Sequence, residues 1–183
     1  MKKTRIIAEA GVNHNSELKI ALDLVDSAKE SGADCIKFQV FFAKELASKL
    51  TPKADYQRNN GLDDISHQEM LKSLELSFES LKKVYEHAKK INIDFLASAF
   101  DKGSLDFIIN ELKLPVLKIA SGEITNGPLL LEHSRSSSKL ILSTGMSNMD
   151  EIRTALSIIA FGLIADFDSE PKMQSFKDAF DSR

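Results

Sequence analysis

Residues 116–125 read V-L-K-I-A-S-G-E-I-T, and the rest of the chain repeats their pattern. The apolar run that follows Pro115 predicts a short buried strand. Lys118 interrupts this run, and a buried ammonium group is costly unless it meets an anion. Ser121 and Glu123 follow directly after the strand. A strand end that carries a lysine, a serine and a carboxylate is more typical of a ligand site than of a simple turn.

Short apolar runs followed by polar residues recur on both sides of this segment. They predict five strands, at residues 5–10, 35–40, 93–97, 116–120 and 140–142. Apolar residues at helical spacing fill the intervals, and the helix starts predicted from capping residues are Ser16, Ser77 and the pair Ser147 and Asp150. Strands that alternate with helices across short loops indicate an α/β protein with a parallel sheet.

Polar residues follow the carboxyl end of each predicted strand, where a parallel α/β fold places its ligands. They are Glu9, Gln39, Ser98, Ser121 with Glu123, and Ser143. A doubly wound sheet and a (β/α) barrel both fit this arrangement. Because no glycine-rich dinucleotide fingerprint follows the first strand, the pattern favours a TIM-type (β/α) barrel of which only about the first five βα units are present, a partial or truncated barrel.

The composition is that of an ordinary cytoplasmic globular domain. The chain has 183 residues, 43% of them hydrophobic and 28% charged. Its net charge of −3 gives no general attraction to nucleic acid or to an anionic membrane. No apolar segment approaches the length of a membrane span, and a single cysteine, Cys35, excludes an intrachain disulfide.

Several motifs, taken in order along the chain, resemble the N-terminal part of the catalytic barrel of the sialic acid synthase family. They read I-I-A-E-A-G-V-N-H-N, A-D-C-I-K-F-Q, P-K-A-D-Y-Q, L-E-L-S, L-K-I-A-S-G-E-I-T-N and I-L-S-T-G-M, between residues 6 and 146. The first and third motifs lean toward the legionaminate-type branch. The chain departs from the family pattern at Ser16, Gln68, Ala99 and Gly127, and after residue 160. We therefore divide it into residues 1–160, the N-terminal part of the synthase barrel, and 161–183, a divergent tail or the start of the missing remainder.

The resemblance implies a transferase of sialic acid biosynthesis that supplies a lipopolysaccharide or capsule precursor. Such an enzyme condenses phosphoenolpyruvate with N-acetylmannosamine or a related 2-acetamido sugar, giving a nonulosonic acid and phosphate by C–O cleavage. The resemblance assigns phosphoenolpyruvate binding to Lys37, Lys118, Ser121 and Ser143. It assigns catalytic roles to Glu123, Glu9 and Lys118, and sugar binding to Gln39, Tyr56 and Asn60, the last two within a long connection at 41–65.

The two lysines and the two glutamates among these residues also have other interpretations. Lys37 and Lys118 are suited to phosphate, but either can instead pair with a barrel carboxylate. Lys118 also allows a Schiff-base aldolase. Glu123 is a candidate acid/base, or a carboxylate that stabilises a helix start. Glu9 fixes a sugar hydroxyl, orients Lys37, or forms a buried ion pair.

The resemblance implies a divalent metal, Mn²⁺ or Mg²⁺, in the complete enzyme, with histidine ligands that are not in this chain. None of His14, His67, His87 and His133 has a second histidine at ligand spacing, so no metal ligand is predicted here. We expect the 183 residues alone to be inactive and, through an open sheet edge, either to self-associate or to pair with a partner chain. We expect the complete protein to be a homo-oligomer. The alternative function is a non-catalytic remnant that binds a phospho-ligand or a partner chain.

Overall fold

The computed structural model describes residues 4–48, 66–166 and 169–182. Five strands form one sheet in the order of the chain, and all the neighbouring pairs with a defined register are parallel. The strands are β1 (Ile7–Gly11), β2 (Cys35–Val40), β3 (Asp94–Ala99), β4 (Val116–Ile119) and β5 (Lys139–Leu142). The predicted five strands are therefore confirmed, with bounds that shift by no more than two residues at either end.

The described helices lie between and after these strands. They are α1 (Leu18–Glu30), α2 (Ala43–Leu46), α3 (His67–Leu74), α4 (Phe78–Lys90), α5 (Lys102–Asn110), α6 (Gly127–Ser134), α7 (Met149–Ile164) and α8 (Met173–Asp181). A single 3₁₀ turn, Ser121–Glu123, follows β4. No helix in the described ranges is long and apolar enough to cross a membrane.

The chain divides into two compact units, Met1–Ala97 and Ser98–Arg183, and the boundary falls inside β3. In the first unit, α1 and α4 pack together through small and branched apolar side chains. Val25 on α1 and Val84 on α4 are fully buried. On the same pair of helices, Nε2 of His87 lies 2.6 Å from a carboxylate oxygen of Asp26. The contact ties α4 to α1 at the edge of their apolar interface.

In the second unit, the core forms between β4 and the helices α6 and α7. Ile119, Leu130 and Ala155 are buried at its centre. The C-terminal helix α8 adds to this core, because Phe176 packs edge-on against Phe161 of α7 with ring centroids 5.2 Å apart. Residues 161–183, separated in the sequence as a divergent tail, therefore contain a packed helix.

One of the predicted helix starts is confirmed and two are wrong. Ser77 caps α4 by accepting a hydrogen bond from the Ser80 N–H. Ser16 does not cap α1, because its φ of +60° is left-handed, whereas a cap residue needs extended backbone. Helix α1 instead begins after Glu17, which makes no side-chain cap.

The start of α7 offers two overlapping capping boxes, and the structure adopts the second. Asn148 accepts hydrogen bonds from the Asp150 and Glu151 N–H groups, and Glu151 reaches back to the Asn148 N–H. The predicted pair, Ser147 with Asp150, is wrong. An aspartate is one methylene shorter than a glutamate and reaches the cap backbone less well, which favours the register that starts at Asn148.

Candidate active site

In the first unit, strand pairing brings together three of the predicted site residues. Glu9 on β1 lies opposite Lys37 on β2, and Gln39 is two residues further along β2, on the same face. The Lys37 ammonium lies 2.5 Å from the Glu9 carboxylate. The side chain of Lys37 is only 13% exposed, whereas that of Glu9 is 49% exposed. The structure thus supports a role for Glu9 in orienting Lys37, and it excludes a fully buried ion pair.

In the second unit, the carboxyl ends of β4 and β5 bring together the other predicted residues. Lys118 lies opposite Ser98 of β3 on one side and Ile141 of β5 on the other. The loops that follow β4 and β5 are also joined, since the Ser143 N–H donates to the Ile119 carbonyl at 3.1 Å. A Cβ atom on Gly145 would lie 3.6 Å from the Ser121 hydroxyl. Ser121 and Ser143 therefore belong to two adjoining loops directly beyond Lys118.

Lys118 itself is partly buried, as an interrupted apolar strand predicts. Its Nζ atom donates a hydrogen bond to the carbonyl of Ile119 at 2.7 Å. Lys118 lies near the carboxyl end of β4, between Ser98 and Ile141. A compact ammonium group at this position suits an anionic ligand.

Glu123 is tied to the start of helix α6. Its carboxylate accepts a hydrogen bond from the side-chain amide of Asn126 at 2.8 Å. Asn126 is in turn the N-cap of α6 and accepts from the Leu129 N–H at 3.3 Å. This geometry gives Glu123 the helix-start role that was one of its two interpretations. Its catalytic role stays a prediction.

Ser98 is a candidate that sequence reasoning noted at a strand end but did not assign. Its side chain is 1% exposed, and its hydroxyl has no hydrogen-bond partner in the described part of the chain. A buried hydroxyl usually has a partner. The strand register identifies Ser98 as a candidate site residue, because it places Ser98 opposite Lys118. Sequence alone does not give the register of two strands separated by a helix.

The buried histidines do not build a metal centre. His14 accepts a hydrogen bond at Nδ1 from the Ser16 N–H at 3.1 Å, and Nδ1 of His133 contacts the Leu129 carbonyl at 2.8 Å. Burial lowers the pKa of both side chains. Within residues 4–48, 66–166 and 169–182, no three His, Cys, Asp or Glu side chains are grouped closely enough to hold a metal ion. The described residues therefore do not fit a metal cofactor, and we assign no chemical step to one.

Two of the predicted sugar-binding residues, Tyr56 and Asn60, lie outside the described residues. A cavity of about 410 Å³ lies in the first unit, and the described residues that line it include none of the predicted site residues. It is lined by Phe42, Ala43, Lys44, Gln68, Glu69, Lys72 and Glu75. The Glu75 carboxylate accepts hydrogen bonds from the Ala43 N–H at 2.9 Å and from the Lys72 ammonium, so it joins the start of α2 to the end of α3.

The parallel sheet, the alternating helices and the polar strand ends together define part of a (β/α) barrel of the TIM type, which confirms the predicted fold class. Residues 24–175 match the model of the NeuB family, and the chain belongs to that family. The resemblance found in the motifs is therefore confirmed.

Individual relatives agree with this assignment. The chain is 49% identical to the N,N'-diacetyllegionaminic acid synthase of Campylobacter jejuni over 159 residues, covering 87% of this chain and 47% of that protein. It is 48% identical to the enzyme of the same name from Legionella pneumophila, covering 84% and 43%. The crystal structure of the N-acetylneuraminic acid synthetase of Leptospira borgpetersenii superposes with a TM-score of 0.73 at 32% identity, covering 88% and 51%. The chain thus spans about half the length of the relatives it matches.

Proposed function

We propose that the protein to which this chain belongs condenses phosphoenolpyruvate with an acetamido sugar to give a nonulosonic acid and phosphate. The observation that carries this proposal is the similarity, at 49% and 48% identity, to two N,N'-diacetyllegionaminic acid synthases across 87% and 84% of this chain. The alternative of a non-catalytic phospho-ligand binder has no such support, since these relatives are synthases.

The same relatives support a particular class of sugar. Their product carries two N-acetyl groups, and phosphoenolpyruvate contains no nitrogen. Both groups must therefore come from the sugar, so we propose a 2-acetamido aldose that bears a second acetamido group. This agrees with the lean of the sequence motifs toward the legionaminate-type branch.

The proposed reaction forms a C–C bond and a C–O bond from water to C2, breaks the C–O bond between C2 and the phosphate, and adds a proton to the aldehyde oxygen. C3 of phosphoenolpyruvate attacks the open-chain aldehyde of the sugar, water adds at C2, and phosphate leaves with its bridging oxygen. In the second unit, Lys118 supplies a partly buried ammonium, and Ser121 and Ser143 supply hydroxyls from adjoining loops. Such groups suit the phosphate and carboxylate of phosphoenolpyruvate, because charge-assisted hydrogen bonds are the stronger kind.

The remaining roles follow the family resemblance. Lys37 is proposed as a further phosphoenolpyruvate ligand, Glu123 as the group that moves protons, and Glu9 and Gln39 as sugar ligands. A divalent metal, Mn²⁺ or Mg²⁺, is proposed for the complete enzyme, with its ligands beyond the described residues. We also propose that the enzyme acts as a homo-oligomer in the cytoplasm.

The direct test joins this chain to the remaining half of the Campylobacter jejuni synthase and measures phosphate release. We expect release that depends on both phosphoenolpyruvate and a diacetamido aldose, with a smaller rate for N-acetylmannosamine. A folded chimera that releases no phosphate with any 2-acetamido aldose would contradict the proposal.

A second test needs only the 183-residue chain. Calorimetry should show that Lys118→Met weakens phosphoenolpyruvate binding by roughly 1.5–3 kcal/mol, the value of a hydrogen bond to a charged group. Methionine keeps the apolar stem, so the fold should persist. The matched control is Lys139→Met, at the opposite end of the adjacent strand β5, which should leave the affinity unchanged. Equal affinities for the two variants would move Lys118 out of the binding site.

A further inference from the structure

The polar residues of the first unit are arranged around an irregularity in β1. Glu9 pairs with Lys37 and Gly11 pairs with Phe38, so Ala10 is an extra residue that forms a β-bulge. A Cβ atom on Gly11 would lie 3.2 Å from the Glu9 carboxylate and 3.7 Å from the Gln39 amide nitrogen. Both side chains therefore lie over the bare backbone of Gly11, which also has a left-handed φ of +56°. Bulges commonly re-aim a side chain beside an active site.

The loop that leaves this bulge is held by one buried ring. His14 is fully buried and stacks on Phe38, with ring centroids 6.0 Å apart and an interplanar angle of 24°. Its Nδ1 atom accepts the Ser16 N–H at 3.1 Å. This bond spans Asn15 and Ser16, whose φ angles are +48° and +60°. Asparagine tolerates left-handed backbone, but in serine it is unfavourable and persists only where the surroundings fix it.

We infer that His14 is a positioning residue for the Glu9–Lys37 pair and for Gln39. Because the ring is fully buried, it is not placed to touch a substrate, and it acts through its neighbours. It covers Phe38, which lies between Lys37 and Gln39 in β2 and opposite Gly11. The bond from the Ser16 N–H to Nδ1 fixes the loop that leaves the bulge, and the bulge sets where the Glu9 carboxylate lies. The catalytic relevance of this arrangement rests on the proposed function, but the arrangement itself does not.

Two properties of His14 can be separated by substitution. His14→Phe keeps an aromatic ring on Phe38 but has no acceptor for the Ser16 N–H. His14→Gln places its amide further from the backbone than Nδ1 and also loses this bond. His14→Asn keeps an oxygen close to the Nδ1 position, where asparagine commonly accepts from the N–H two residues on. We therefore expect His14→Asn to keep the loop in its original conformation and the other two variants to loosen it.

The readout is the rate at which an amine-reactive acylating reagent labels Lys37, measured by peptide mass spectrometry on the 183-residue chain. Lys37 is 13% exposed and paired with Glu9, so its labelling should be slow. His14→Phe and His14→Gln should raise the rate by about fivefold, as expected from the loss of roughly one hydrogen bond. His14→Asn should stay within about twofold of the original chain. Lys118, in the other unit, serves as the internal control and should not change.

Gly11→Ala is the positive control, because its new Cβ atom would lie 3.2 Å from the Glu9 carboxylate and the left-handed φ disfavours alanine, so the variant should raise Lys37 labelling. Circular dichroism identifies the variants that fold. The inference is overturned if Gly11→Ala raises the rate while either folded variant, His14→Phe or His14→Gln, labels Lys37 at the original rate. It is also overturned if asparagine releases Lys37 as much as phenylalanine does.

The same variants distinguish this inference from the proposed function. Labelling requires no phosphoenolpyruvate, so a failure of the proposed reaction leaves its result standing. If His14→Phe exposes Lys37 and also weakens phosphoenolpyruvate binding, as a Lys37→Met variant should, both proposals gain support. If it exposes Lys37 and the affinity is unchanged, His14 is still a positioning residue, and the proposed contact of Lys37 with phosphoenolpyruvate is refuted.

Discussion

Replacing Gly162 with alanine should destabilise the second unit, although glycine to alanine is normally favourable inside a helix. Gly162 is buried in α7, at the point where this helix packs on α6. A Cβ atom there would overlap the hydroxyl of Ser134 and would lie 2.8 Å from its Cβ and 3.2 Å from a methyl of Leu131. The two helices are therefore as close as they are because residue 162 has no side chain.

Three contributions set the size of the effect. Alanine gains about 1 kcal/mol over glycine in helix propensity. Displacing Ser134 breaks the bond from its hydroxyl to the Leu131 carbonyl, which is 2.7 Å long, at a cost of about 1 kcal/mol. Forcing an extra methyl into a packed interface costs about 1–3 kcal/mol. We expect Gly162→Ala to lower the free energy of unfolding by about 1–3 kcal/mol.

Urea denaturation measures this change as a lower midpoint with an unchanged slope. Gly127→Ala is the matched control in the neighbouring helix, because its Cβ would meet a methyl of Ile158 at an ordinary 3.4 Å. That variant should lie within about 0.5 kcal/mol of the original chain. Adding Ser134→Gly to Gly162→Ala should recover part of the loss. A Gly162→Ala variant as stable as the original chain would refute the close approach of α6 and α7.

The other predictions concern titration and capping. Burial lowers the pKa of His14 and of His133 below the usual 6.5, so the unfolded chain takes up more protons than the folded one below that pH. Their stabilising contribution is complete above pH 6.5 and is lost as the pH falls through the folded-state pKa values. Thermal melts should therefore show a lower Tm at pH 5.5 than at 7.5, and the decrease should be smaller in His133→Gln. An equal decrease in that variant would exclude His133 as a source of the pH dependence. Asn148→Ala should cost about 1 kcal/mol as the loss of an N-cap, while Ser147→Ala, one residue earlier, should be nearly neutral by the same urea titration; the reverse order would restore the capping box predicted from sequence.

The fold was predictable because its strongest signals are local and periodic. Strand β2 has the predicted bounds, Cys35–Val40, since an apolar run with a polar residue at every second position identifies a strand and the face it exposes. The Ser77 cap is equally local. The errors at Ser16 and Ser147 arise where neighbouring residues compete for one role. Left-handed backbone in the loop decides the first case, and the length of the partner side chain decides the second.

The candidate site also has one part that local sequence patterns predict and another part that they do not. Alternation predicts that Lys37 and Gln39 share a face of β2, and parallel pairing then brings Glu9 to Lys37. Pairing does not predict the bulge at Ala10, because an inserted residue leaves no mark in an apolar pattern such as I-A-E-A-G. The Glu9 and Gln39 side chains beside Gly11, and the His14 ring stacked on Phe38, are likewise contacts that only the folded backbone reveals. Sequence reasoning therefore predicted the polar groups that share this face of the sheet, but it did not predict the contacts of His14, because a histidine in a loop gives no sign of burial until its neighbours are known.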